Sequence, residues 1–202
     1  MHQLKTEKEK FSYALGMNLG ESFRSQGLDL DPAVFAQALA EAYETGETQM
    51  SEQEMHAVLS AAAEKLRNKE AEESENVKLV GENFLAENKT REGVVTLPSG
   101  LQYKILKQGT GSKPALSDSV SCHYRGTLID GTEFDASANH GGPLTFPLRG
   151  VIRGWTEALQ LMPVGSKWQL FVPSDLAYGE QGPPGIGPNA TLIFEVELVS
   201  IQ

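Results

Sequence analysis

Glycine and proline are distributed very unevenly along this chain of 202 residues. Residues 1–90 contain five of the 20 glycines and one of the 10 prolines, and residues 91–202 contain the other fifteen and nine. Both residue types mark turns, so a segment poor in them favours long helices and a segment rich in them favours short strands. The sequence therefore predicts an α+β chain with a helical first half and a β-rich second half.

The first half carries two clear signals for helix starts. Asp31 before Pro32 combines an N-cap carboxylate with a proline at the first helical position, where its missing N–H has no cost. Ser51 and Glu54 have the spacing of a capping box. We therefore predict one helix that starts at Pro32 and another that starts just after Ser51.

No glycine or proline interrupts the chain from Ser51 to Gly81, and its middle, EKLRNKEAEESEN, is almost wholly polar. A helix that is polar all round bridges solvent between domains or is unstable alone. We predict one continuous helix from about 51 to about 88, roughly 55 Å long, whose polar middle holds the two halves apart. The alternative is a helix that breaks near Asn76 and continues as a flexible linker.

The helical half is too small to bury a substantial core by itself. Gly16 and Gly20 lie four residues apart on one helical face, where the absence of side chains allows close backbone approach. We therefore expect two copies of the chain to pair through this half. The alternative is a small monomeric three-helix cap that merely tolerates these glycines.

The second half shows the alternation of short strands with one buried face, as in LQYKILK and SVSCHYRGTL. Asp130–Gly131 is typical of a two-residue hairpin turn. One short helix is expected where Ile152, Trp155 and Leu159 share a face, and Met162–Pro163 would end it. Because nothing else is available to cover the sheet, we predict a curved antiparallel sheet wrapped around this helix.

The inward positions of this half are expected to be more aromatic than aliphatic. They include Tyr124, Phe134, Phe146, Trp155, Tyr178 and Phe194. Such a cluster at the mouth of a curved sheet predicts a ligand pocket, and an aromatic-rich core is an equally good interpretation of the same residues.

Charge and composition exclude several classes of function. The net charge of −10 disfavours nucleic acid as the main partner, and no apolar run is long enough to span a membrane. Cys122 is the only cysteine, and the four histidines lack metal-ligand spacing, so we expect neither a disulfide nor a metal or other cofactor. The opening MHQLKTEKEK does not have the pattern of a signal peptide.

Several blocks of the second half carry a family resemblance. They are VSCHYRGTLIDGTEFDAS, GGPLTFPL, GVIRGWTEALQLMPVGSKWQL and PSDLAYGEQGPPGIGPNATLIFEVELV. In order and spacing they resemble the FKBP-type peptidyl-prolyl cis–trans isomerases, and FSYALGMNLG with the long charged helix is similar to the subclass typified by the macrophage infectivity potentiator. The resemblance implies a helical dimerisation domain (1–70), a connecting helix and linker (71–97) and an isomerase domain (98–202).

The same resemblance implies which residues form the pocket. They are Tyr124, Phe134, Asp135, Phe146, Val151, Ile152, Trp155, Tyr178, Ile186 and Phe194. In the family the tryptophan floors the pocket, the aromatic residues wall it, and a backbone N–H of the isoleucine and the tyrosine hydroxyl bind ligand carbonyls. Pro183 stands where many members have histidine, in a loop one residue shorter than the commonest form, which leaves the loop contacts open.

The function implied is isomerisation of X–Pro bonds in unfolded or partly folded proteins, without covalent chemistry, by a V-shaped homodimer with chaperone-like action. Macrolides of the FK506 and rapamycin type are the implied inhibitors. Two alternatives are a non-catalytic peptide- or macrolide-binding module and an adhesion or assembly protein that acts through its helical half. The subclass implies a bacterial periplasm or cell envelope if a leader precedes this sequence, and the cytoplasm is the alternative.

Overall fold

Four α-helices and seven β-strands form the part of the chain that the computed structural model describes, residues 4–46 and 49–202. The helices are α1 (Glu7–Ser25), α2 (Pro32–Glu44), α3 (Glu52–Asn88) and α4 (Arg153–Leu159). The strands are β1 (Val94–Thr96), β2 (Gln102–Lys107), β3 (Ser119–Leu128), β4 (Glu133–Ala136), β5 (Leu144–Pro147), β6 (Lys167–Val172) and β7 (Leu192–Ile201). The chain divides into two units, Met1–Ala61 and Ala62–Gln202.

Both helix starts are confirmed. Asp31 Oδ1 accepts the N–H groups of Ala33 and Val34 at 2.8 and 3.3 Å, and Pro32 is the first residue of α2. Ser51 Oγ accepts the Glu54 N–H at 3.2 Å while the Glu54 carboxylate accepts the Ser51 N–H at 2.9 Å, which completes the capping box. The long helix is also confirmed, because α3 runs without a break through Asn76.

The first unit has almost no core of its own. Neither α1 nor α2 contains a buried residue. Phe23 and Phe35 pack edge to face with ring centroids 5.4 Å apart, and an apolar groove of about 940 Å³ extends along both helices. A Cβ placed on Gly16 or Gly20, both of which line this groove, would meet no atom of the described residues within 4 Å.

The second unit is an antiparallel sheet that encloses one short helix, as predicted, but the expectation that no other element covers the sheet is wrong, because the second half of α3 also packs on it. The strand order is β1-β2-β6-β7-β3-β4, and β5 pairs with β3. From α4, Trp155, Ala158 and Leu159 are buried in the same core as the side chains of β3, β6 and β7. Helix α4 therefore fills the space that the sheet encloses.

Three details differ from the predictions. The hairpin after β3 has three linking residues rather than two, because Leu128 donates to the Thr132 carbonyl and only Gly131, at φ 89°, has a positive φ; a two-residue type I′ turn needs two such residues. Helix α4 ends at Leu159 rather than at Met162–Pro163, because the chain continues there in shorter i to i+3 turns.

The third difference concerns the core. The expectation that inward residues are more aromatic than aliphatic is wrong, because the largest fully buried side chains are nearly all aliphatic. They are Leu101, Leu148, Leu159, Met162, Leu170, Leu192, Leu198, Val120, Val172, Val196, Asn88 and Cys122. Aliphatic side chains interdigitate in well-defined rotamers and fill this space to the usual density.

The second half of α3 belongs to this unit and packs on it. Gly81 is buried against Thr191, where a Cβ would collide with the Thr191 hydroxyl oxygen. The buried Asn88 donates to Gln102 Oε1 at 2.9 Å, and Phe84 packs on Phe171 with centroids 6.0 Å apart. Glycine at position 81 therefore permits the helix to approach the sheet closely.

Replacing Gly81 with alanine tests this contact. At an exposed helical position the change would stabilise by up to about 1 kcal/mol, but here the new methyl group has no space, and we expect a net loss of about 1–3 kcal/mol. Urea unfolding followed by tryptophan fluorescence measures it, because Trp155 and Trp168 both lie in the second unit. Adding Thr191→Ala should restore part of the loss, and a more stable Gly81→Ala protein would contradict the packing.

Candidate active site

Three aromatic side chains pack edge to face on Trp155, which is 4% exposed. Its ring lies edge to face with those of Tyr124 and Phe194 at 5.3 Å and of Phe146 at 5.9 Å between centroids. Phe134 joins the group through Phe194 at 5.5 Å. We call these five residues the aromatic cradle. Edge-to-face pairs are favourable because the positive ring edge meets the negative ring face.

The cradle is assembled from separate elements of the second unit. Tyr124 comes from β3, Phe134 from β4, Phe146 from β5 and Phe194 from β7, and α4 supplies Trp155. Gly126 pairs with Phe194 across the sheet, and a Cβ there would lie 2.6 Å from Phe134 and 2.8 Å from Phe194. A glycine at this point of β3 is therefore required for the two phenylalanine rings to meet.

A carboxylate lies beside the aromatic cradle. Asp135 Oδ2 accepts the Tyr124 hydroxyl at 2.6 Å, and Asp135 Oδ1 lies 2.9 Å from His140 Nε2. Ser137 Oγ accepts the Tyr124 N–H at 3.1 Å and so fixes the turn that connects Asp135 to His140. The arrangement gives the cradle one polar edge, which is half open to solvent.

Tyr124 and Asp135 shift each other's pKa values. Burial raises the pKa of Asp135, but the hydrogen bonds from Tyr124 and His140 outweigh it and leave this pKa below the usual value. The pKa of Tyr124 is raised, first by burial and then by the hydrogen bond and charge of Asp135 and by Tyr178. The pair is therefore a carboxylate that accepts from a neutral phenol.

The other residues expected in the pocket are Val151, Ile152, Tyr178 and Ile186. Val151, Ile152 and Ile186 are partly buried against the core. Tyr178 is 43% exposed and is near enough to Tyr124 to influence its pKa. Ile186 sits in a turn in which its N–H donates to the Pro183 carbonyl at 3.0 Å.

Sequence reasoning missed three residues of this site. They are Gly126, Ser137 and His140. A glycine inside the strand VSCHYRGTL was an available signal, since a strand glycine often marks a close approach. His140 had no such signal, because its contact with Asp135 depends on the shape of a short 3₁₀ turn, Ser137–His140.

No group of metal-binding side chains occurs among residues 4–46 and 49–202. Burial raises the pKa of Cys122 to about 12, so its thiol is a neutral core group. Within the same described ranges, no helix has the length and apolar character to cross a membrane.

The chain is similar to known proteins over nearly its whole length. Residues 8–105 match the family described as the domain amino terminal to FKBP-type peptidyl-prolyl isomerase, and residues 110–199 match FKBP-type peptidyl-prolyl cis-trans isomerase. The chain is 48% identical to the outer membrane protein MIP of Legionella longbeachae, over 98% of this chain and 88% of that protein. It is 41% identical to the FKBP-type 22 kDa peptidyl-prolyl cis-trans isomerase of Escherichia coli, over 97% and 96%. The crystal structure of FkpA from Escherichia coli aligns with a TM-score of 0.76 at 36% identity and covers 99% of both chains.

Replacing Asp135 with asparagine tests the lowered pKa. A carboxyl group with a lowered folded pKa contributes stability that is present above its unfolded value, about 3.9, and is lost as the pH falls through the folded value. The stability advantage of the unmodified protein over Asp135→Asn should therefore shrink between pH 6 and pH 3 in urea unfolding. Asp175→Asn, at an exposed aspartate of the same unit, is the control, and an advantage that does not change with pH would contradict the assignment.

Proposed function

The chain belongs to the FKBP-type peptidyl-prolyl cis–trans isomerase family, and from this premise we propose that the aromatic cradle is where it binds and turns the X–Pro bond. Isomerisation of prolyl bonds in proline-containing polypeptides is the activity of the chain. The observation that supports this placement is the packing of three aromatic rings around the buried Trp155, beside a hydrogen-bonded carboxylate.

The physical requirement of the reaction fits such a site. Rotation about the amide bond costs resonance energy, and water favours the planar, more polar amide over the twisted one. A dry aromatic cradle removes that advantage of water and accommodates the proline ring. Lowering the time from about 100 s to about 10 ms needs roughly 5.4 kcal/mol, which a few hydrogen bonds that strengthen at the transition state, together with desolvation, can supply.

One side-chain group and one backbone group are proposed to hold the carbonyls that flank the proline. The first is the hydroxyl of Tyr178, an exposed residue near Tyr124. The second is the backbone N–H of Ile152, which is the N-cap residue of α4. Holding these carbonyls keeps the amide in a conformer from which it can rotate. FK506-type macrolides would occupy the same cradle.

Asp135 is proposed as an electrostatic and orienting group rather than an acid or base. The reaction transfers no proton, and the carboxylate already accepts the Tyr124 hydroxyl at 2.6 Å. It therefore fixes the orientation of that phenol and the local field at the edge of the cradle. Asp135→Asn should accordingly keep a measurable share of the activity.

The two tryptophans of the chain provide a matched test of the cradle. Trp155 and Trp168 are both buried, but Trp168 stacks on Tyr103 away from the cradle, with centroids 4.3 Å apart. We expect Trp155→Leu to lower kcat/KM for a short prolyl peptide by tenfold or more, because it removes the floor, and Trp168→Leu to change it by less than about twofold. A protease-coupled assay on folded protein measures both, and equal effects of the two changes would refute the placement.

We also propose that two copies associate through the first unit to form a V-shaped homodimer with chaperone-like action. The support is physical: α1 and α2 bury no residue, and they leave an apolar groove of about 940 Å³ in which Gly16 and Gly20 face open space. A second copy of the same helices has the apolar surface to fill it. In this proposal residues 1–70 form the dimerisation domain, residues 71–97 form the connecting helix and linker, and residues 98–202 form the isomerase domain.

Leu15 and Met17 distinguish the groove from the rest of α1. Both side chains are about half exposed, at 51% and 53%, and only Leu15 lines the groove. Leu15→Asp should shift the mass by light scattering from twice 21.9 kDa to 21.9 kDa, and Met17→Asp should not. The monomeric variant should isomerise short peptides as fast as the unmodified chain, but it should lose most of its acceleration of a protein refolding reaction that is limited by proline isomerisation. Light scattering that shows the unmodified chain to be a monomer would refute the dimer.

We propose the bacterial periplasm or cell envelope as the location of the protein. The support is that one similar protein is named an outer membrane protein, in Legionella longbeachae. A cytoplasmic location is the alternative, and cell fractionation separates the two.

A further inference from the structure

His140 is the last residue of the Ser137–His140 turn, and its imidazole contacts the carboxylate of the proposed site. Its Nε2 lies 2.9 Å from Asp135 Oδ1, while the Tyr124 hydroxyl occupies the other carboxylate oxygen. The His140 and Asp135 side chains are 48% and 41% exposed. The pair therefore forms a part of the proposed site that solvent, and hence a bound polypeptide, can reach.

The backbone holds the imidazole in this place. The Ser137 side chain is buried and accepts the Tyr124 N–H, which ties the turn to β3. The turn ends at Gly141, whose φ of 85° reverses the chain directly after His140. Such a φ is strained for residues other than glycine. Gly141 therefore allows the sharp turn that keeps His140 next to Asp135.

Imidazole is the side chain whose charge changes between about pH 5 and 8. A proton on Nε2 can donate to Asp135 in the charged form and in one neutral tautomer alike. The hydrogen bond can therefore persist when the histidine loses its charge. What changes is the sum of charge at the pair, from zero to −1.

We propose that His140 is a positioning and specificity-determining residue that acts through Asp135, so that the enzyme discriminates against acidic residues beside the target proline more strongly as the pH rises. The proposal rests on the proposed placement of the reaction in the aromatic cradle. At low pH the imidazolium cancels the charge of the carboxylate. At higher pH the carboxylate faces the incoming chain with its charge uncompensated.

The strands next to the turn carry other charged or ionisable side chains besides Asp135. The turn packs on β3 and β4. On these strands Arg125 and Glu133 pair with each other at 2.7 Å, and His123 lies 3.5 Å from the Ser137 hydroxyl. Beyond them, Tyr178 is an electrostatic neighbour of Tyr124. His123 is the other histidine beside this turn in the described part of the chain, and it serves as the control.

The test compares three short peptides that differ only in the residue before proline: Glu, Gln or Lys. Glutamate in a peptide has a pKa near 4.3 and stays ionised from pH 5.5 to 8. A unit charge about 8 Å from the carboxylate in water changes the relative kcat/KM about twofold at low ionic strength. The Glu-to-Gln ratio of kcat/KM should therefore fall about twofold from pH 5.5 to 8, and the Lys-to-Gln ratio should rise.

Substitutions at position 140 separate charge from shape. His140→Gln keeps a donor without a charge and should hold the Glu-to-Gln ratio at the high-pH value throughout, whereas His140→Arg should hold it at the low-pH value. His123→Gln should behave like the unmodified chain, and 1 M salt should abolish the trend because charges are then screened within about 3 Å. A ratio that is constant with pH in the unmodified chain, or that still falls in His140→Gln, would overturn the role of His140.

The placement of the site and the role of His140 fail in different ways. Turnover of the Gln peptide that survives Trp155→Leu unchanged would overturn the cradle and, with it, this inference. A constant Glu-to-Gln ratio in an enzyme that Trp155→Leu inactivates would overturn only the role of His140.

Discussion

The close approach of α4 to the sheet is the interaction on which the proposed site depends. Gly154 makes it possible, because a Cβ there would lie 2.5 Å from Val172 of β6. With the helix this near, the Trp155 ring reaches Tyr124 of β3 and Phe194 of β7 at the same time. A methyl group at position 154 would push α4 away from β6 and separate these rings. In the proposed site, these rings exclude water from a bound proline.

The aromatic cradle and its polar edge complement each other physically. Apolar rings desolvate a substrate amide, and they offer little to orient it. Asp135 and Tyr124 supply that orientation because their hydrogen bond fixes a carboxylate and a phenol in one geometry. The burial that raises the pKa of Tyr124 keeps its phenol neutral. Of the two hydrogen-bonded groups, only the Asp135 carboxylate therefore carries a negative charge.

Much of the fold could be predicted because its signals are local. The capping box of Ser51 and Glu54 and the proline after Asp31 locate two helix starts within a residue, and alternation along β3 identifies a strand. The residues of the proposed site come from family resemblance, since the spacing of those sequence blocks is distinctive. The length of the hairpin loop and the end of α4 could not be predicted from the sequence. Both depend on which of several backbone hydrogen bonds, one or two residues apart, is formed in the folded chain.

Contacts that depend on how the backbone folds, whether over five residues or over a hundred, were the least accessible to sequence reasoning. Nothing near His140 indicates Asp135 as its partner, and nothing near Gly81 indicates Thr191, since each pair is defined only after the chain has folded. The aromatic residues misled for a related reason. They are conspicuous in the sequence, while the leucines and valines that fill most of the interior are spread over β3, β6, β7, α4 and the connecting segments.

The link between α3 and the loop after β6 has a practical consequence for protein engineering. Asn189, which adopts a positive φ of 55°, donates from its side chain to Ser74 of the long helix at 2.9 Å, and its N–H donates to the Gly179 carbonyl. The segment that carries Ile186 is therefore braced from outside the sheet. A truncated version intended for crystallisation or inhibitor screening should begin upstream of Ser74, because a shorter one would leave that segment without its brace.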